Sequence, residues 1–467
     1  MNKNKLNYET YLSPFSWRYG SEEMREIWSE KNKRKIWRKI WTELARAQHK
    51  AGLVSKEELQ DIEDNKNNIN IERSHEIEKE IYHDLMAEIK TYAEQAKKGG
   101  GKIHLGATSM DIVDNADLLI TKKSLELIKI KLIKLIKSFE KQIRKYKDIP
   151  CMGYTHLQPA EPTTIGYRLS LYAQDLLWDL QFIEKIEDFI KGKGIKGAVG
   201  TSASYEDLLR DTKVNSFDLE KEIMKNFNLE AVDISGQTYP RKIDLLIIES
   251  LVNIASSLHK FNFDLRIMQS PNFGEWSEPR SKKRVGSSAM PFKKNPDKAE
   301  KICSLCRFAS SLFQVAWSNP AMSILERTLD DSAAKRVFMP EAFLAIDECI
   351  KETNSIVENL VIFENVVKAN LKKYGIFSST ESLLMELSKK GANRQDMHEA
   401  IRENSMLAWE NISNGKENNL IELLKKEKKI SKFIKSSEIS KYFNPEKHTG
   451  IAKERTEKFL NKLKKID

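Results

Sequence analysis

Apolar residues recur along most of this chain at steps of three and four, the spacing that lines one face of an α-helix. Two long stretches show it best. From Asp111 or Asp114 onward, Leu125, Ile128, Leu132, Leu135, Phe139, Ile143 and Tyr146 alternate with polar positions until Pro150 ends the run. From about Gln237 to Phe273, Ile247, Leu251, Ile254, Leu258, Phe261, Leu265 and Met268 do the same. Both seams average roughly 3.5 residues per repeat, the period of long helices packed at shallow angles. Another helix opens near Pro296, because Asn295 can cap it and proline suits the first helical position; Ile302, Leu305, Cys306, Ala309 and Leu312 follow at helical spacing. Further helices are predicted over about 163–191 and after Arg336, where Phe343, Ile346, Ile350, Val357 and Leu360 repeat. Strand signals are almost absent. The expected fold is therefore all-α: a central bundle of about five long helices over 112–364, with smaller helical domains at 1–111 and 365–467. Seams this long carry more apolar residues than one bundle axis consumes, so they are expected to continue between subunits.

Four chemically loaded loops border this bundle, at 104–109, 155–158, 286–295 and 326–336. The stretch Val285–Glu300 reads V-G-S-S-A-M-P-F-K-K-N-P-D-K-A-E, and Gly286, Pro291 and Pro296 forbid a continuous helix through it. Between those breaks lie two hydroxyls, two ammonium groups and an amide, all tethered to the start of a stiff helix. By composition alone an ordinary surface loop would look the same. Cys151–Thr164 reads as a second irregular stretch, with His156 between Thr155 and Gln158. Ile81–Leu85 reads as helical, which places His83 and Asp84 on positions that do not face each other. After Gly99–Gly101, the run I-H-L-G-A-T-S contains small residues that let backbone amides and hydroxyls approach a ligand. Arg18, with Tyr19, stands at the entrance of an amphipathic segment and is a natural fork for phosphate or carboxylate. Gly192–Gly197 is formally G-x-G-x-x-G, but a helix precedes it and more loop follows, so a dinucleotide fingerprint is rejected.

Composition narrows the class. At 467 residues the chain is long enough for two or three domains, and 40% hydrophobic with 31% charged residues is that of a soluble globular protein. No apolar run is long enough to span a bilayer, and the first twelve residues lack the apolar core of a signal peptide, so a cytoplasmic location is expected. The four cysteines are too few for a disulfide framework, and the C-x-x-C of Cys303 and Cys306 has no second pair or histidine to complete a metal set. A net charge of +10 permits a nucleic-acid partner. The lysines, however, are scattered along helices with glutamates between them, which favours a small polyanionic substrate.

These loops then point to a family. G-S-S-A-M-P-F-K-K-N-P-D-K-A-E is similar to the signature loop of the fumarase/aspartase superfamily. H-L-G-A-T-S, T-H-L-Q-P-A-E-P-T-T, Q-T-Y-P-R-K-I-D and E-R-T-L-D-D-S-A, in this order from Arg18 to about Asp347, resemble the adenylosuccinate lyase family. The resemblance implies β-elimination of fumarate from adenylosuccinate and from succinylaminoimidazole carboxamide ribotide. It implies no cofactor, no metal and a homotetramer whose sites are shared between subunits, with neither nucleic acid nor membrane as partner. By motif, Ser287 matches the general base and His156 the general acid. Lys293 and Asn295 match groups that hold the carboxylate where charge develops, His83 one that orients the acid or binds substrate, and Glu300 the partner of the catalytic histidine. Arg18, Tyr19, Arg327, Ser332 and Arg336 would hold the nucleotide phosphate and its surroundings, and Thr108, Ser109, Thr155 and Gln237 the succinyl carboxylates and base. Tyr82, Asp84, His104, Lys301 and Leu329 complete the substrate-binding set. Tyr82 stands where the family often has arginine, Phe292 where it has His or Tyr, and Lys301 where some relatives carry arginine; these leave fine contacts open. The competing expectations are another fumarate-releasing lyase, such as one acting on argininosuccinate, and a non-catalytic helical scaffold that binds nucleic acid.

Overall fold

The computed structural model describes residues 9–279, 289–290 and 292–466. The expected helices are present. Ser109–Tyr146, Ile165–Glu187, Lys242–Gln269, Asp297–Ser311 and Asp330–Glu358 are the long helices of the central region, the first 38 residues in length. Their predicted seams are the buried faces: Leu125, Ile128, Leu132, Leu135, Phe139 and Ile143 are inaccessible to solvent, and so are Ile247 and Ile254. All four cysteines are buried thiols.

The chain divides into two compact units that share these helices: Met1–Leu132, Trp178–Leu258 and Ile302–Lys351 in one, Ile133–Leu177, His259–Lys301 and Glu352–Asp467 in the other. The first unit is built on a core of Trp37, Trp41, Leu85, Ile89, Tyr92 and Ile112. Beside it a buried charge cluster ties the helix Glu30–Lys50 to Asp84–Gln95: Arg38 Nε lies 2.7 Å and Arg34 Nε 3.3 Å from the two oxygens of Glu88. Arg38 also donates to the carbonyls of Asn65 and Asn68 and to the Gln95 side chain. In the second unit a separate core of Leu383, Leu387, Leu420, Leu424, Ile430 and Ile439 gathers the short helices near the end of the chain.

Two local expectations are corrected. Residues 151–164 are not irregular but a β-hairpin, in which Pro150–Thr155 pairs antiparallel with Gln158–Thr164. Pro159 and Pro162 hid it, although a two-stranded ribbon leaves outward-facing positions where proline's missing N–H costs nothing. The register shifts between Met152 and Tyr154, and Gly153 fills the irregularity because a Cβ there would lie 2.4 Å from the Glu161 carbonyl oxygen. Likewise 81–85 is a break between helices rather than continuous helix. Ile71–Ile81 ends at Tyr82 in the left-handed conformation (φ 54°), and the next helix begins at Asp84.

Replacing Glu88 with alanine leaves the buried Arg38 guanidinium without a carboxylate and Arg34 with Glu30 alone. The expected loss is on the order of 3–5 kcal/mol, seen as a lower urea midpoint; an unchanged midpoint would show that water compensates both arginines.

Candidate active site

In the first unit the predicted substrate-binding residues sit at helix starts and the turns just before them. His83 caps the helix Asp84–Gln95 by accepting the Met86 N–H at Nδ1 (3.3 Å). Asp84 reaches Arg336 on the helix Asp330–Glu358, with Nη2 donating to Oδ2 at 2.8 Å. Burial pushes the Asp84 carboxyl up, but Arg336 and the Leu85 amide hold it below its ordinary value. Arg327 donates to Asp331 at 2.7 Å, and the Ser332 amide donates to the Leu329 carbonyl. The Gln237 amide donates to the Glu326 carbonyl at 3.0 Å, an approach that requires Gly236, whose added Cβ would lie 2.6 Å from the same oxygen. Thr108 and Ser109 begin the helix Ser109–Tyr146, where the Thr108 amide is capped by Asp111. Arg18 is exposed, its guanidinium 5.9 Å from the Tyr19 ring, and the turn behind it is anchored by the Gly20 amide on Glu348 and the Ser21 amide on Asp347.

Arg327, Ser332 and Arg336 line one cleft of about 180 Å³ together with Lys33, Arg241 and Lys335. Five cationic residues and three carboxylates, Glu30, Asp114 and Asp117, line it, while Arg327 and Arg336 are paired with Asp331 and Asp84 outside the lining; what the cleft offers an anion is spare guanidinium donors. The Nη2 of Arg327 and the Nη1 of Arg241 are buried with no hydrogen-bond partner among the described residues. Arg241 and Lys335 were not singled out from the sequence, although Arg241 lies inside Q-T-Y-P-R-K-I-D. A charged residue directly ahead of an apolar helical seam was the available signal.

His104 has a different setting. Its Nδ1 accepts the Trp41 Nε1–H at 3.0 Å, and its backbone is left-handed (φ 71°). Burial lowers its pKa to about 4, against a smaller upward pull from Asp111. Nor does the rejected glycine loop offer a phosphate cradle: its Lys196 and Gly197 amides and the Lys193 ammonium are held by the Asp111 carboxylate.

In the second unit His156 and Leu157 form the two-residue turn of the hairpin, both left-handed (φ 54° and 59°) and exposed. Such a turn matches the twist of the paired strands, and in non-glycine residues it costs on the order of 1 kcal/mol per residue. Thr155 pairs with Gln158 across it. A cleft of about 390 Å³ beneath the turn is lined by His156, Arg168, Tyr172, Lys260 and Asp264. A separate cleft of about 720 Å³ is lined by Lys293, Lys294, Asn295, Arg266 and Glu278. The Lys294 carbonyl accepts from Gln269 at 3.0 Å, and Glu278 accepts the Ala299 amide at the start of Asp297–Ser311. Glu300 is half-exposed, 3.8 Å from Arg266, and Lys301 pairs with Glu352 at 3.0 Å. Ser287 lies outside the described residues. One group of metal-ligating types comes together among the described residues, Glu161, Glu381 and His448, with ligand atoms within 4.8 Å, but none of the three is a candidate site residue.

The long helices and the chemically loaded turns at their ends fall largely within residues 18–309, which match the family model described as "Lyase". The fold is shared with a 3-carboxy-cis,cis-muconate lactonizing enzyme from Pseudomonas putida and a fumarate lyase from a Mesorhizobium species. Their TM-scores are 0.85 and 0.84, each at 21% identity over 97% of this chain and 99% of the other. The model described as "Adenylosuccinate lyase C-terminus" matches residues 377–459. Adenylosuccinate lyases from Saccharomyces cerevisiae and Schistosoma mansoni are each 36% identical, over 98% and 97% of this chain and 95% of their own. The one from Pyrococcus abyssi is 34% identical over 98% of this chain and 99% of its own. The chain belongs to the adenylosuccinate lyase family and is a lyase.

The burial of His104 has a measurable consequence. The unfolded chain takes up a proton near pH 6.5 while the folded ring resists until about 4, so folding stability is retained above 6.5 and lost as pH falls between those values. NMR titration is expected to place His104 near 4, and His104→Gln to flatten the acid limb of the stability curve over that window. A measured value near 6.5 would contradict the burial argument.

Proposed function

We propose that this chain eliminates fumarate from adenylosuccinate to leave AMP, and cleaves succinylaminoimidazole carboxamide ribotide in the same way, without a cofactor. The observation that carries this reading is the cationic cleft of the first unit, where Arg327 keeps a buried, unpartnered Nη2 in a lining shared with Ser332 and Arg336. A nucleotide phosphate is the dianion that such donors accept. The smaller superfamily substrates carry no phosphate to fill the cleft.

The reaction explains the remaining residue types. A proton leaves the carbon beside a carboxylate, giving a doubly charged aci-carboxylate; the C–N bond then breaks, and the departing nitrogen is protonated from the opposite face. In this reading Ser287 takes the proton, activated by loop amides and the charge of Lys293. Lys293 and Asn295 stabilise the developing negative charge, a contribution of about 3 kcal/mol per well-placed donor. His156 supplies the proton to nitrogen, with His83 and Glu300 orienting it. The exposed, left-handed turn that presents His156 supports this assignment, because strained backbone at a solvent-facing side chain is retained where function requires it. The role of Ser287 rests on the motif around it.

We read the assembly as a homotetramer with sites shared between subunits. Leu171, Trp178 and Phe263, at 55%, 61% and 45% exposure, leave apolar surface on the long helices for partner helices to cover. Four buried cysteines held as thiols rather than disulfides fit the cytoplasmic location read for the enzyme.

Purified protein is expected to convert adenylosuccinate to AMP, followed by the ultraviolet change as the substituted purine is lost, and to sediment as four chains. His156→Ala and Ser287→Ala should each lower kcat by roughly a hundred- to ten-thousand-fold with circular dichroism and sedimentation unchanged. Near-normal kcat in either variant would overturn its assigned role, and no turnover by well-folded tetramer would overturn the substrate.

A further inference from the structure

We propose that Asp331 is a positioning residue that holds Arg327 ready for the nucleotide phosphate; this rests on the phosphate reading of the cleft. Asp331 stands in the first turn of the helix Asp330–Glu358, with its side chain almost fully buried. Its two oxygens serve two guanidinium groups: Oδ1 accepts from Arg327 Nη1 at 2.7 Å and Oδ2 from Arg241 Nε at 2.5 Å. Arg241 is itself clamped. Its Nη2 donates to Asp114 at 3.1 Å, its guanidinium lies 4.5 Å from the Tyr239 ring centroid, and the other Asp114 oxygen accepts the Tyr239 amide at 2.9 Å.

A carboxylate fixed in this way does two things for Arg327. It engages one terminal nitrogen and leaves the other, Nη2, buried and unpartnered. The rotamer freedom of a long side chain is then lost when the protein folds rather than when the ligand binds, which strengthens binding. The second effect is electrostatic. A lone buried aspartate beside Arg327 would cancel its charge and repel an anion. With Arg241 on its far side, Asp331 divides its charge between two guanidinium groups, and Asp114 in turn balances Arg241, so Arg327 faces the cleft without an uncompensated carboxylate beside it. Burial raises the Asp331 carboxyl, but the two arginines outweigh it and keep the group ionised. Arg241 thus lets a carboxylate orient a phosphate-binding arginine without opposing the phosphate.

The test is a double-mutant cycle on the full enzyme, with AMP binding by calorimetry and adenylosuccinate turnover as readouts. Asp331→Asn is expected to raise both the Kd for AMP and the KM about tenfold or more, with kcat within about threefold. In an Arg327→Gln background the same change should add less than about twofold, because the residue it acts through is already gone. A merely structural Asp331 would instead lower kcat and the thermal midpoint together, with the two mutations adding their effects; that result overturns the proposal. Should Asp331→Asn not fold, Asp331→Glu keeps the charge facing Arg241 while displacing it by one methylene. It is expected to give an intermediate KM in the same cycle, and an unchanged KM sinks the idea. Wild-type enzyme that neither binds AMP nor turns over adenylosuccinate refutes the phosphate reading itself. Wild type that does both, beside an Asp331→Asn enzyme of equal affinity, refutes only the positioning role.

Discussion

The first unit depends on one buried guanidinium. Arg241 immediately precedes the helix Lys242–Gln269 and bridges Asp114 of the helix Ser109–Tyr146 to Asp331 of the helix Asp330–Glu358. Asp331 sits in the first turn of its helix, where the macrodipole favours negative charge, and Asp114 one turn further into its own. Removing either partner would strand a charge in the interior, so the three helix starts are tied in one arrangement. The turns leading into those helices carry Thr108, Gln237 and Arg327. The interaction that aligns the bundle in this unit therefore also aligns the groups read as holding substrate, and the cleft they line takes its cationic character from the same network.

Two loop histidines illustrate how packing separates roles that look alike in one dimension. His104 is turned inward, its ring pinned by Trp41 and held neutral by burial down to about pH 4. A group so difficult to charge makes a poor proton donor near neutral pH. His156 stands exposed at the tip of a hairpin, on a turn whose left-handed backbone thrusts it away from the paired strands. The proposed division of labour follows: one ring shapes the wall, the other moves the proton. The second unit treats its cations in a similar way. Lys301 is engaged by Glu352 at the side of a helix, whereas Lys293 lies in the cleft ahead of that helix.

Helical spacing alone carried the all-α architecture, because burying one face of a long helix requires apolar residues at a period near 3.6, and nothing local competes with that demand. The motifs carried the family, because turn glycines and prolines, hydroxyls, lysines and histidines in a fixed order leave little room for coincidence over three hundred residues. Where two signals met in one short segment, the sequence misled. The prolines of 159 and 162 outweighed a hairpin, whose stability comes from cross-strand pairing rather than local preference. The continuous helical reading of 81–85 passed over a left-handed break at Tyr82, whose geometry puts His83 in a capping position.

What the sequence determined by itself is the all-α pattern, which loops are chemically loaded and which residue types they hold, and through them the resemblance to a lyase family. Tertiary structure decided which of those residues are engaged with the protein and which face a cleft, and it added Arg241 and Lys335 to the lining and Asp331 behind it. The reason is physical. A side chain's type is a property of the chain, but its charge state, its spare hydrogen-bond donors and its orientation are set by the neighbours that folding gathers round it, as Asp114 and Arg241 from distant segments and Asp331 from one turn further on are for Arg327.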